Sequence, residues 1–288
     1  MSRKSNGGAR GGAGIIISDL GPEVDIPRPG PSPWGHRGVP LTIAGAGVEA
    51  LPSRDGAARP AAVLLRYRKL EPARWLGHLD VMRAFERAFR RTDLPVAYTE
   101  GFNPRIRLAF ASPLPVGVTG DREAAVVLLS GTATPQEVRD GLNSVLPSGF
   151  QILDAEAKGN STAGSVLAAY DRAEYSLTVQ GPAEAVRAGA EALMTAETLP
   201  VTREKDRRII TFDARPFLHA AAAEAGAVRI IVEVRQNGGV RPSELGALLE
   251  AHAPDCRVAA IVRARLFGSG TATGGAELEQ DETQDDQI

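Results

Sequence analysis

Apolar positions along residues 62–267 recur with two different periods, and the switches between them cut this stretch into two similar halves. The run Ala62-Val63-Leu64-Leu65-Arg66-Tyr67-Arg68 reads as a strand, with Arg66 and Arg68 on one face. A helix is predicted from about Trp75 to Arg91, because Trp75, Leu79, Met82, Phe85 and Phe89 fall together at about 100° per residue. Two extended stretches follow, Leu94–Thr99 with Ile106–Ala111, and Glu123–Ser130. A second helix runs from Pro135, favoured at a first helical turn, to Leu146, and Phe150–Ala155 closes the half as a strand.

The second half repeats this order. A strand at Glu174–Val179 leads to a helix over Pro182–Thr195, then a hairpin of Leu199–Arg203 and Arg208–Asp213. An Ala-rich helix is predicted near Pro216–Ala225, before a strand at Ala227–Arg235, a helix at Pro242–His252 and a strand at Arg257–Leu266. Without the Ala-rich insert each half is βαββαβ, which predicts an α+β protein of two tandem ferredoxin-like domains. Their expected limits are 62–158 and 165–267, joined across Gly159–Gly164.

Composition changes the picture at both ends. Residues 1–61 hold 12 Gly and 8 Pro without sustained periodicity, the pattern of a disordered leader. Residues 268–288 hold six acidic residues and no basic one, so a disordered, solvated acidic tail is expected. Between them 26 basic residues face 24 acidic ones, so the formal net charge of −2 is set by the tail. No apolar run approaches a bilayer span and no secretory signal is visible, so no membrane association and a cytoplasmic location are expected. A single cysteine, Cys256, excludes a disulfide framework, a four-cysteine zinc site and an iron–sulfur cluster held by this chain alone. No metal site and no cofactor are predicted: Gly45-Ala46-Gly47-Val48-Glu49-Ala50 imitates a dinucleotide fingerprint, but Pro52 cuts off the helix it needs.

The chemistry that remains lies in the first half, where residues 63–110 carry ten basic and five acidic side chains. Arg83, Arg87, Arg90 and Arg91 line the polar side of the first helix. They read either as its solvated back or, with Arg66 and Arg68, as a surface for phosphates or an acidic partner. His78 falls on the apolar face at the N-terminal end, where a helix dipole favours the neutral imidazole; it is either a packing residue or a general base. The segment Tyr98 to Gly117 combines turn formers with an aromatic and two arginines. Its loop Gly101-Phe102-Asn103-Pro104, with Asn103, Arg105 and Arg107, is a candidate anion- or partner-binding element.

Gly77-His78-Leu79-Asp80, the arginine-rich helix, Tyr98-x-Glu100-Gly101-Phe102-Asn103-Pro104 and Ser112-Pro113-Leu114-Pro115-Val116-Gly117 resemble the radical SAM-linked protein family. Asp213-x-Arg215-Pro216 and Arg241-Pro242 match it too, and the resemblance covers about 62–267. The family usually has Ser at positions 77 and 99, where this chain has Gly77 and Thr99; the first difference removes a hydroxyl beside His78. The resemblance implies work beside a radical SAM protein, as a substrate-presenting or regulatory partner, with an associational hint towards RNA. The radical chemistry itself needs three cysteines that this chain does not have.

Two functions follow. The first is a non-catalytic accessory partner of a radical SAM enzyme that binds RNA through its basic first half. The second is a metal-independent RNA endonuclease, by analogy with tandem ferredoxin-like CRISPR RNA nucleases, with His78 as base and Arg105 or Arg107 stabilising the phosphorane. The exposure of His78 separates them: a ring enclosed beneath Phe85 and Phe89 could not reach a substrate.

Overall fold

The computed structural model describes residues 60–205, 207–235 and 239–269. The expected leader and acidic tail, and the Gly45–Ala50 segment, lie outside the described residues but for the few at their inner ends.

In the first half, β1 (Ala61–Lys69) enters the sheet as a buried strand, and a 3-10 turn at Glu71–Ala73 leads to α1 (His78–Arg90). α1 starts at His78 because Gly77 is its extended N-cap; Trp75 precedes the helix. Its buried face is Val81, Ala84, Phe85, Ala88 and Phe89, and the predicted face members Trp75 and Leu79 are instead 67% and 50% exposed. After α1 the chain forms a short β2 (Leu108–Phe110), then β3 (Thr119–Leu129), α2 (Pro135–Val145) and β4 (Phe150–Ala157). The expected strand over Leu94–Thr99 reduces to isolated bridges, Val96 opposite Leu129 and Tyr98 opposite Ile106. α2 opens with a reciprocal capping box between Thr134 and Glu137, the sequence device that fixes a helix start.

A short α3 (Ala163–Leu167) occupies the expected junction, and β5 (Arg172–Gln180), α4 (Ala183–Thr195) and the β6 (Pro200–Lys205)–β7 (Arg208–Asp213) hairpin follow. The Ala-rich segment is a strand: β8 (Leu218–Glu224) pairs antiparallel with β9 (Ala227–Glu233). Four alanines favour a helix locally, but pairing with β9 satisfies the backbone, and packing of Ala221 and Ala223 on the core decides the conformation. α5 (Pro242–His252) and β10 (Arg257–Phe267) complete the chain.

The main sheet has eight strands in the order β4-β1-β3-β10-β5-β9-β8, with β2 also on β3, and all its pairings but one are antiparallel. The exception joins the halves: β10 lies parallel to β3, with Val262 opposite Thr119 and Arg263 opposite Gly120. One apolar core gathers under α1 and α2 around Phe85, Phe89, Leu142 and Ile152, and another under α4 and α5 around Leu177, Leu193, Ile230 and Leu249. The opposite face of the first half is covered by α3, through Leu167 against Leu64 and Val126.

Candidate functional site

Around the β3–β10 junction the interior is polar. Arg263 and Glu123 are each 1% exposed and form a two-point ion pair, with Arg263 Nε donating to Glu123 Oε1 at 2.7 Å and Nη2 to Oε2. The same guanidinium donates to the Ser112 carbonyl at 2.8 Å and to its hydroxyl at 3.3 Å. Burial alone would lower the Arg263 pKa, but Glu123 and Tyr175 hold it above its ordinary value. Lys69, also 1% exposed, donates Nζ to the carbonyls of Leu76 and Arg74 at 3.0 and 3.3 Å. Burial lowers its pKa, while Glu123 acts in the opposite direction. Gly120 is required beside this group, since a Cβ there would meet Glu123 Oε1 at 2.5 Å. The network ties β1, β3, β10 and the Ser112 segment together, and neither Lys69, Glu123 nor Arg263 carries a sequence signal of its own.

The motif segments build the rim above this network. Gly117, at φ +85°, accepts from Arg74 Nη2 at 3.1 Å and donates its N–H to the Arg74 carbonyl at 2.8 Å. That pairing holds the Pro113–Gly117 stretch against the residues that precede α1. A Cβ on Gly117 would lie 3.9 Å from Trp75 Cζ3, and one on Gly77 3.9 Å from Val116 Cγ2, so Trp75, Val116 and the start of α1 adjoin. Trp75, Leu79 and Val116 are 67%, 50% and 57% exposed, and Arg74 stacks on the Trp75 ring at 4.9 Å. Two other motif pairs support the backbone. Asp213 accepts from the N–H groups of Leu199 and Arg215, while the Arg215 guanidinium donates to the Leu218 and Met194 carbonyls. Arg241 N–H donates to Glu244 at 2.7 Å and opens α5.

His78 is half-buried at the first turn of α1, edge-on to Phe110 with centroids 5.7 Å apart. Phe110, in turn, packs on Tyr67 and Phe85. Its ring is therefore not enclosed beneath Phe85 and Phe89. Burial lowers its pKa below the ordinary 6.5. The unfolded state then binds the proton more readily, so stability is complete above about pH 6.5 and falls as pH drops towards the folded-state value. His78→Gln is expected to flatten the fall in stability between about pH 7 and pH 5, as urea unfolding at several pH values would show. An unchanged slope would assign it to other groups, such as His219, whose pKa burial also lowers.

The arginines named from the sequence divide into two sets. Arg66 pairs with Asp154 and Glu156, Arg68 with Asp121, Arg83 with Asp80 and Arg90 with Glu86, at 2.7 to 3.6 Å. Among the described residues Arg87, Arg105 and Arg107 make no side-chain ion pair or hydrogen bond, and Arg91 donates only to the Val145 carbonyl at 3.2 Å. The loop is anchored by the Thr99 hydroxyl accepting from Arg105 N–H at 3.0 Å, by Thr99 N–H to the Arg105 carbonyl and by Arg107 N–H to the Ala97 carbonyl. This leaves Gly101, Phe102, Asn103 and Pro104 exposed, Phe102 completely, with Gly101 at φ +115°. Among the described residues there is no group of three His, Cys, Asp or Glu side chains arranged to hold a metal, and no helix long and apolar enough to cross a membrane.

A large, mostly antiparallel sheet, helices over its cores and an exposed motif rim define an α+β protein. The chain belongs to the family described as uncharacterized protein conserved in bacteria (DUF2344), whose model matches residues 63–242. No curated protein matches it. Among solved structures, a Cbf5-Nop10-Gar1 complex is similar at 12% identity and a TM-score of 0.37, covering 77% of this chain and 57% of that one. The archaeal box H/ACA sRNP Nop10-Cbf5 complex is similar at 13% identity and a TM-score of 0.34, covering 74% and 50%. The match thus spans little more than half the length of those chains.

Proposed function

We propose that this chain is a non-catalytic accessory subunit that docks on a radical SAM protein, the partner implied by its sequence resemblance, and presents substrate to it. The observation that carries this reading is that exposed Trp75 and Val116 adjoin the start of α1 on the rim built by the motif segments, with Leu79 exposed in the first turn of that helix. Large apolar side chains gathered at one place mark an interaction surface, whereas scattered ones do not. A partner would bury them, worth about 1.5–3 kcal/mol for each fully covered side chain. RNA contact is supported by a smaller footprint than the sequence suggests: Arg87, Arg105 and Arg107, with Phe102 exposed as a stacking surface.

The halves are read as ferredoxin-like units over 62–158 and 165–267. The strand orders β4-β1-β3-β2 and β10-β5-β9-β8 support this, with the β6–β7 hairpin as an insertion in the second. The nuclease reading draws on one observation, the half-exposed and neutral-leaning His78 ring. Co-purification of the full chain with the neighbouring radical SAM protein, scoring bound protein and RNA together, tests the accessory role. A stable complex supports it. Absence of a complex, with cleavage of a structured RNA in EDTA that His78→Ala abolishes, replaces it with the nuclease.

A further inference from the structure

The β6–β7 hairpin stands apart from the main sheet as a ribbon of two strands. Its opposed residues run without a break from Pro200–Asp213 to Lys205–Arg208. Just beyond Asp213 the Ala214 N–H donates to the Leu199 carbonyl at 2.7 Å, which fixes the alternation of the ladder. Phe212, Ile210 and Arg208 therefore turn their backbone groups towards β6, while Ile209, Thr211 and Asp213 turn theirs outward. Among the described residues no strand pairs with that outer edge, and no backbone group bonds to it.

Exposed edges normally carry a device against pairing. At the two ends of the main sheet, β4 presents Asp154 and Glu156, and β8 has a register shift between Leu218 and Ala220. β6 begins at Pro200 and exposes Thr202 and Glu204. β7 has no such device: Ile209, Ile210, Thr211 and Phe212 follow one another uncharged, and Ile209 and Ile210 are 79% and 40% exposed. A strand edge of that composition is a template for another strand.

The charges of β7 identify the strand that fits. Arg207 and Arg208 stand exposed at one end, with no side-chain ion pair or hydrogen bond among the described residues. At the other end Asp213 accepts the Leu199 and Arg215 N–H groups through Oδ1, and its Oδ2 has no hydrogen-bond partner among the described residues. Two copies of this strand side by side and antiparallel bring the arginine end of each to the carboxylate end of the other, whereas a parallel pair would bring like ends together. Outward groups pair only with outward groups, which restricts the register. With Ile210 opposite Ile210, Ile209 of each copy exchanges backbone hydrogen bonds with Thr211 of the other, and Arg207 stands level with Asp213.

We propose that β7 is a self-association edge: two copies of this chain join β7 to β7 across a two-fold axis at Ile210, forming one four-stranded antiparallel sheet. The inference depends on neither the accessory role nor RNA binding.

Sedimentation velocity of the full chain is expected to show monomer at about 2 μM and a growing dimer fraction towards about 200 μM, since an edge contact of this size is weak. Ile210→Lys and Ile210→Glu each set like charges face to face on the axis, so either variant alone should dimerise at least about tenfold more weakly. Mixed in equal amounts, the two variants should recover the dimer as a Lys–Glu pair. Ile210→Cys gives an independent reading, because Cys256, the single native cysteine, is buried. Oxidised at about 200 μM it should yield a disulfide-linked dimer, since facing residues of a pair without mutual hydrogen bonds lie about 4.5 Å apart at Cα, while Thr202→Cys on the other strand should not. Wild type that stays monomeric throughout overturns the proposal. A dimer that both charge variants retain also overturns it, by placing the contact on another surface. Loss in both variants with neither recovery on mixing nor cross-linking of Ile210→Cys overturns the axis at Ile210.

Discussion

Replacing Glu123 with glutamine is expected to lower the unfolding free energy by about 3–5 kcal/mol, the usual cost of breaking a buried ion pair from one side. The carboxylate is 1% exposed and receives two hydrogen bonds from Arg263, which is equally buried. Glutamine keeps the shape but removes the charge, leaving the Arg263 guanidinium without a counter-ion where water cannot replace it. Lys69 lies close enough for Glu123 to act on its charge, so the variant leaves a second buried cation less compensated. Paired replacement, Glu123→Gln with Arg263→Met, should recover most of the loss. Urea unfolding of the wild type, the single variant and the pair measures this, and a loss below about 1 kcal/mol for Glu123→Gln would show that the pair does not hold the two halves together.

If the proposed accessory role holds, the Trp75→Glu/Leu79→Asp variant should weaken complex formation with a radical SAM protein by about a hundredfold or more and leave folding intact. Aromatic anchors at the centre of an interface typically contribute about 2–4 kcal/mol each, and a carboxylate placed in a desolvated contact adds repulsion to the lost packing. Both side chains are exposed in the free chain, so the thermal midpoint should stay within about 2 °C of the wild type. Titration by calorimetry or biolayer binding provides the readout. Affinity unchanged within threefold would remove the apolar rim as the docking surface and shift attention to the arginines. Arg83→Glu with Arg87→Glu is the useful comparison: Arg83 is already paired with Asp80, so most of any effect should come from Arg87.

How far the sequence reaches is visible in particular residues. The apolar periodicities located β1, α1, α2, α4, α5 and β10, because burial of one face is written locally in residues three or four apart, or two apart. Pro135, read as a first-turn residue, placed the start of α2 correctly, while the Thr134–Glu137 capping box emerged only in the structure. Periodicity failed at Trp75, which precedes α1, and at Leu79 in its first turn, both of which fit the apolar pattern yet stay exposed. It failed again at Ala220–Ala223, where helix propensity was outweighed by pairing with β9. The Ser112–Gly117 segment was conspicuous as a motif, yet the role of Ser112 depends on Arg263, whose side chain meets it from a strand 151 positions later.

The sequence by itself determined that this is an α+β chain whose segment 63–110 carries twice as many basic as acidic side chains, since strand and helix periods and charge counts are local properties. Tertiary structure alone decided which of those basic side chains are neutralised and which motif residues face water. It also decided that the halves meet through a buried Lys69–Glu123–Arg263 network on a shared sheet. Each of these depends on the pairing of strands distant in the chain, and the Coulomb and desolvation energies that select the partners act through space rather than along the sequence.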